Sequence, residues 1–182
     1  MKSTVFSMIV GFSLIFNIYG QENIGNTKNV EVIRDFKNLY RYQNFYISGQ
    51  PTLEELQWLK SQGVVKIINL RNEKENFEYS EYAYDEKAYA QKSGFEYYSI
   101  PVDASKDYSP EKLEALSSLI KNDQKILIHC HSAVRATNFF MAWLIRNKGY
   151  TVNDAVTIGK KMNFQLPLEK LLGTEVSMEL MK

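Results

Sequence analysis

Short runs of branched and aromatic residues alternate with longer stretches of helical periodicity, and this alternation does most to limit what the chain can fold into. The runs are 44–48 (NFYIS), 64–70 (VVKIINL), 95–100 (FEYYSI) and 125–130 (KILIHC). Their length and branching mark them as strands, the apolar ones as buried strands. Between the first two, GQPTLEELQWLKSQG reads as a helix. Thr52 caps it, Glu55 completes a capping box, Leu53, Leu56, Trp58 and Leu59 form its apolar face, and Gly63 stops it. After a loop, RNEKENF, a second helix is expected at 79–92, ended by Gly94. Ser109 caps a third, with Pro110 at its first position and Leu113, Leu116, Leu119 and Ile120 facing inward. RATNFFMAWLIRNKG is apolar nearly all round, which makes it a central helix; 151–162 forms another, and the tail from Pro167 is expected to be helical. Strands separated by such helices imply βαβ units, hence an α/β fold with a mostly parallel central sheet flanked by helices. Ligands in such sheets bind beyond the carboxyl ends of the strands. Arg71, Asp103 and Cys130 all follow strand ends, so one rim gathers a guanidinium, a carboxylate and a thiol.

The length of 182 residues suits one domain with extensions. A net charge of +1 gives no electrostatic bias toward nucleic acid or acidic membranes, and neither partner is expected. Residues 1–20 read as a signal peptide: Lys2 is the positive end, 5–18 the apolar stretch, and Gly20 the small residue before a cut at Gln21. The apolar stretch is shorter than the about 20 residues of a comfortable span; an uncleaved membrane anchor is the competing reading. No cysteine follows that stretch, so a lipid anchor is not expected. The expected organisation is a signal peptide at 1–20, a leader or N-terminal extension at 21–43 and one domain at 44–182, in an exported protein, periplasmic or secreted, with no stable membrane insertion after cleavage.

Export sharpens the reading of Cys130, the single cysteine. Exported proteins that use cysteine for stability carry pairs. A lone thiol there is either an inert buried side chain or a useful one. In ILIHCHSAVRAT it sits where a strand turns into a helix. Backbone amides at a helix start lack partners, and the helix dipole adds positive potential. If the loop coils, the amides of His131, Ser132, Ala133, Val134, Arg135 and Ala136 converge on an anion, and Arg135 adds a planar fork matched to phosphate oxygens. The same field favours the thiolate, with a thiol pKa in the range of about 3.5–7.5 instead of about 8.5. A phosphorylated substrate would then meet the sulfur, form a phosphocysteine and be released by water. Asp103 is the first candidate for the proton donor and Asp107 the second. Thr137 is placed to donate its hydroxyl to the departing sulfur. His129, alternating away from Cys130, is expected to position the loop through hydrogen bonds to its backbone. Arg71 either contacts substrate or pairs with Glu73 or Glu75. Tyr79, Tyr82, Tyr84 and Tyr89 read as amphipathic packing. No metal site and no cofactor are expected: both histidines adjoin Cys130, and no second cluster completes a zinc site.

At these residues the sequence resembles the cysteine-based protein tyrosine phosphatases of the dual-specificity type, and more closely a small bacterial, beta-lactamase-hydrolase-like subgroup of that superfamily. The resemblance covers roughly 46–162 and rests on YISGQPTLEELQWLKSQGVVKIINLR, YYSIPVD and ILIHCHSAVRAT. It implies a tyrosine phosphatase-like fold, a nucleophile at Cys130, a phosphate-binding Arg135 and a general acid in the loop that begins PVD. The implied activity is hydrolysis of phosphate monoesters, phosphotyrosine-like or small-molecule. The superfamily pattern has five residues between Cys and Arg and a glycine three after the Cys; here four intervene and Ala133 takes the glycine's place, while Thr137 keeps its usual distance. Alanine is unfavourable there if the position requires φ > 0. Two alternatives stay open. A rhodanese-like sulfurtransferase also has four residues before its arginine, although no Gly-His-Ile segment follows the first strand here. An inactive phosphate- or phosphoprotein-binding domain would tolerate Ala133.

Overall fold

Branched residues at 64–69 and 125–129 form adjacent strands whose ends define the rim. The computed structural model describes residues 30–78, 84–121, 123–165 and 168–175. The signal peptide expected at 1–20, the first part of the extension, Tyr79 and Tyr82 lie outside the described residues. The strands are β1 (Val30–Val32), β2 (Leu39–Tyr42), β3 (Phe45–Ser48), β4 (Val64–Asn69), β5 (Glu96–Ser99) and β6 (Lys125–His129). They form one sheet in the order β1-β2-β3-β6-β4-β5. β3, β6, β4 and β5 run parallel, while β1 and β2 add antiparallel strands at one edge. Residues 30–32 and 39–42, expected to lie in a leader or N-terminal extension, therefore belong to the sheet. Buried Leu39 and Tyr42 anchor them, and Tyr42 packs edge-on to Phe140 at 5.7 Å.

Helices cover both faces. One carries α4 (Pro110–Leu119), α5 (Val134–Lys148), α6 (Val152–Gly159) and α7 (Glu169–Leu172); the other carries α1 (Leu53–Ser61) and α3 (Glu86–Lys92). β6 shows why both faces are apolar: Ile126 and Ile128 point toward α5 and Leu127 toward α1, the period of two that a strand imposes. α5 is buried along 135–144, as its nearly all-round apolar sequence requires.

Three local expectations need correction. The second helix does not start at 79: α3 starts at Glu86, where Asp85 accepts the Ala88 N–H at 3.0 Å. The expected loop RNEKENF instead contains a short helix, α2 (Glu73–Glu78). Asn72 caps it reciprocally, its Oδ1 accepting from Glu75 N–H at 2.7 Å while Glu75 Oε2 accepts from Asn72 N–H at 2.9 Å. In α1 the capping box of Thr52 and Glu55 is present, and it draws Glu55 inside while Leu53 is left 37% exposed. No helix among the described residues is long and apolar enough to cross a membrane.

Candidate active site

Cys130 follows β6 directly and is buried. Its N–H donates to Ser48 C=O at 3.3 Å, which extends the β3–β6 pairing to the start of the loop. The loop then turns sharply at Ala133, whose φ of +72° and ψ of −16° lie in the left-handed region. The position reserved for glycine in the family pattern does require φ > 0, and alanine occupies it at a cost of about 1–2 kcal/mol. The first hydrogen bond of α5 is Thr137 N–H to Ala133 C=O at 2.8 Å. The amides of Val134, Arg135 and Ala136 therefore have no helical acceptor.

The loop's carbonyls are held on the outside. His131 C=O accepts from Gln50 N–H at 3.0 Å and Ser132 C=O from Asn163 Nδ2 at 2.7 Å. These contacts fix the backbone of the loop on the side of Gln50 and Asn163.

Arg135 projects from the first turn of α5 into a cleft of about 360 Å³. Asp103, Ala104, Ser105, Tyr108, His131, Ser132 and Val134 share its lining. Glu75 clasps the guanidinium in a bidentate pair, Nη1 to Oε2 at 2.7 Å and Nη2 to Oε1 at 2.6 Å. Nη1 also donates to Val102 C=O at 2.6 Å and, more weakly, to Leu70 C=O at 3.3 Å. Of the five donors of an arginine, these contacts leave Nε–H and one Nη2–H, and the guanidinium also engages the Cys130 side chain. Burial pulls the Arg135 pKa down, but Glu75 and the nearby Cys130 sulfur outweigh it and the net shift is upward. Burial likewise pushes Glu75 up, and Arg135, with help from Asn72 N–H, brings it below the usual carboxylate range.

Asp103 lies on the rim of the cleft, on the polar loop after β5. Its carboxylate pairs with Lys106 at 2.5 Å, which holds its pKa below the ordinary value. Ala104, next in sequence, has φ +54° and ψ −165°, a region other residues leave almost wholly to glycine. Asp107 does not line the cleft. It is tied to Lys112 and accepts the Asp103 N–H at 2.9 Å, and the Lys112 contact lowers its pKa. Thr137 is buried, and its Oγ1 has no hydrogen-bond partner, so its hydroxyl remains a free donor. Ala136 is buried at the start of α5.

His129 acts differently from expectation, and Arg71 follows the second of its two readings. His129 does point away from Cys130, but its Nε2 lies 2.8 Å from Glu86 Oε1, so it engages a buried carboxylate and not the loop backbone. Arg71 does not line the cleft. It is buried, donating through Nη1 to Gln50 Oε1 at 2.6 Å and through Nη2 to Glu75 C=O. β4 ends at Asn69, and Leu70 intervenes before Arg71, which carries that side chain beneath the rim and not over it. Sequence reasoning missed Glu75 as the anchor of Arg135; the signal was the N-x-x-E capping pattern at 72–75. It also missed Gln50, Glu86 and Asn163. A second recess, of about 530 Å³, lies on the other side of the loop and shares His131 and Ser132 with the cleft. Among the described residues no group of three or more His, Cys, Asp or Glu could hold a metal ion.

The comparisons with known proteins agree with this architecture. A DUF442 protein of Shewanella putrefaciens CN-32 has a TM-score of 0.59 at 22% identity, over 77% of this chain and 91% of its own. Pseudomonas aeruginosa TpbA, in complex with phosphotyrosine, gives 0.58 at 18% identity over 72% and 76%. A Neisseria meningitidis Z2491 protein gives 0.54 at 21% identity over 65% and 83%. These likenesses show a shared tyrosine phosphatase-like fold. No curated protein matches the chain in sequence. The family model described as "DSP-PTPase phosphatase fused to NAD+ Kinase" matches residues 20–170, most of the chain, and the protein belongs to that phosphatase family.

Proposed function

We propose that the protein is a cysteine-dependent phosphatase that hydrolyses phosphate monoesters through a phosphocysteine. One observation supports this reading: Cys130 is buried where β6 turns into α5, and Arg135, in the first turn of that helix, is held in the cleft by a bidentate pair with Glu75. In the first step the Cys130 thiolate attacks phosphorus, the bond to the ester oxygen breaks, and protonated Asp103 gives that oxygen its proton. Arg135 and the loop amides stabilise the equatorial oxygens. In the second step water attacks phosphorus, Asp103 takes the water's proton, and the sulfur leaves as thiolate, assisted by the Thr137 hydroxyl. In the Lys106-paired state Asp103 is ionised, so the acid form must leave that pair. The substrate side is phosphotyrosine-like or a small phosphate ester, and export with removal of 1–20 belongs to the same proposal.

The experiment is para-nitrophenyl phosphate hydrolysis by the wild type and Cys130→Ser, with acid-quenched intact mass to trap a phosphoryl adduct and a thiosulfate–cyanide assay alongside. Turnover and adduct in the wild type, both lost in Cys130→Ser at nearly unchanged Tm, support the mechanism. Turnover retained in Cys130→Ser sinks it. Cyanide-dependent thiocyanate formation would favour sulfur transfer, and phosphate binding with no turnover would favour a binding domain strained at Ala133.

A further inference from the structure

The GQPT segment that opens α1 is a sequence signature which the proposed chemistry does not use. We infer that Gln50 within it is a positioning residue for the reaction, an inference that rests on the phosphatase reading. Gln50 holds the anion loop and Arg135 together from behind. Its backbone N–H takes the His131 carbonyl at 3.0 Å. Gly49 sits opposite Ser132 in a single antiparallel bridge. A Cβ at Gly49 would lie 3.0 Å from the His131 oxygen, so the close approach of the two backbones depends on glycine there.

The buried side chain of Gln50 joins two charged groups. Its Oε1 accepts from Arg71 Nη1 at 2.6 Å, and its Nε2 donates to Glu86 Oε2. Arg71 continues to the Glu75 carbonyl, and the Glu75 carboxylate clasps Arg135. Glu86 continues to His129, which precedes the nucleophile. One amide thus links the residue next to Cys130 with the group that would hold the phosphate. An amide can accept from a guanidinium and donate to a carboxylate at once, which neither a carboxylate nor a thioether can do. A carboxylate there would face Glu86 with like charge, and a thioether would leave Arg71 and Glu86 both short of a partner in a buried site. Arg71 Nε already has none, so the Gln50 contact is one of few that fix this guanidinium.

The test uses the full chain with Gln50→Met, Gln50→Glu and the exchange Q50E/E86Q. Three quantities are measured well below Tm: kcat/KM for para-nitrophenyl phosphate, the Kd of orthovanadate by calorimetry, and Tm. Both single variants should lose about ten- to a hundredfold in kcat/KM, with vanadate affinity falling in parallel, as small misplacements of catalytic groups do. The exchange variant remakes the amide–carboxylate bond in reverse and still serves Arg71, so it should recover most of that loss. A drop in Tm with unchanged kcat/KM and unchanged vanadate affinity would overturn the inference, as would an exchange variant no better than Gln50→Glu. If Gln50→Met does not fold, the Gln50→Glu and exchange pair decides. A wild type that binds vanadate but does not turn over substrate would remove the phosphatase reading, while the affinity series would still decide the role of Gln50.

Discussion

Glu75→Gln tests the most specific electrostatic feature of the site, the clasp on Arg135. The pair is bidentate at 2.6 and 2.7 Å, with side chains 10% exposed for Arg135 and 24% for Glu75. Breaking a fully buried pair costs about 3–5 kcal/mol and an exposed one about 0–1, so a part-buried pair falls near 2 kcal/mol. A second route agrees. The amide keeps one acceptor for the guanidinium and turns an NH₂ toward it at the other position, losing one charge-assisted bond of about 1.5–3 kcal/mol. For a domain of this size 2 kcal/mol lowers Tm by about 4–8 °C. The pH dependence follows from the direction of the shift. Glu75 titrates below its ordinary value of 4.5 in the folded protein. Its contribution is fully present above that unfolded-state value and is lost as pH falls through the folded one. Thermal melts followed by circular dichroism from pH 8 to pH 3 should show the full gap between wild type and variant near neutrality, closing below about pH 4 as protonation makes the wild type resemble the amide. At pH 6 kcat/KM should fall at least about tenfold, because Arg135 loses the partner that orients it. A gap that stays constant across the whole range, or a variant as stable as wild type at pH 7, would refute the clasp as an ion pair.

Lys106→Gln removes the cation that holds Asp103 low; the alkaline limb of kcat/KM, where the proton donor ionises, should move to higher pH, and an unmoved limb would remove Asp103 as the acid. Arg135→Lys should lose about tenfold to several thousandfold in kcat/KM, since lysine cannot offer two coplanar donors, and near-wild-type activity would place the phosphate elsewhere. Ala133→Gly relieves about 1–2 kcal/mol of backbone strain but gives up a buried methyl worth about 0.8 kcal/mol and some unfolded-state entropy. Its Tm should stay within about 3 °C of wild type, while Ala133→Val, β-branched at φ +72°, should be clearly destabilised. Intact mass of the exported protein should begin at or near Gln21; full-length protein in the membrane fraction would favour an anchor.

The parallel part of the fold was legible because its strands announce themselves locally. 64–69 and 125–129 are branched and apolar, and Thr52 and Ser109 cap helices where the sequence puts them. β1 and β2 were not legible. VEV and LYRY are short and polar on one side, and their pairing is tertiary; only buried Leu39 and Tyr42 commit them to the sheet. Arg135 and Asp103 share a cleft, with Cys130 buried at the end of β6, and these candidates could be named from the sequence because strand ends and motif spacing are linear features. Their supports could not. Glu75, Gln50 and Glu86 come from three separate segments, and a polar residue in a loop gives no sign that folding will bury it against a charge from elsewhere. The two readings of Arg71 stayed open for the same reason, since its position at a strand end could not tell rim from interior.

The two faces of the sheet divide the work of the site, and a strand's period of two explains how. On β6 and its exit, Ile126, Ile128 and Cys130 face the apolar layer of α5, while Leu127 and His129 face α1 and α3. The Cys130 side chain is therefore buried in the apolar layer that α5 covers. The carboxylate of Glu86 is placed behind the sheet, where burial raises its pKa but His129, Gln50 and Tyr97 bring it below the usual range. A buried anion one residue from the nucleophile on the same face would compete with the substrate's phosphate for Arg135. On the opposite face it lies 2.8 Å from His129 Nε2 and accepts from Gln50, and serves instead as an anchor. A register slip of one residue in β6 would exchange the two roles at a stroke, which is why its parallel pairing with β3 and β4 on both sides matters to the chemistry as well as to the fold.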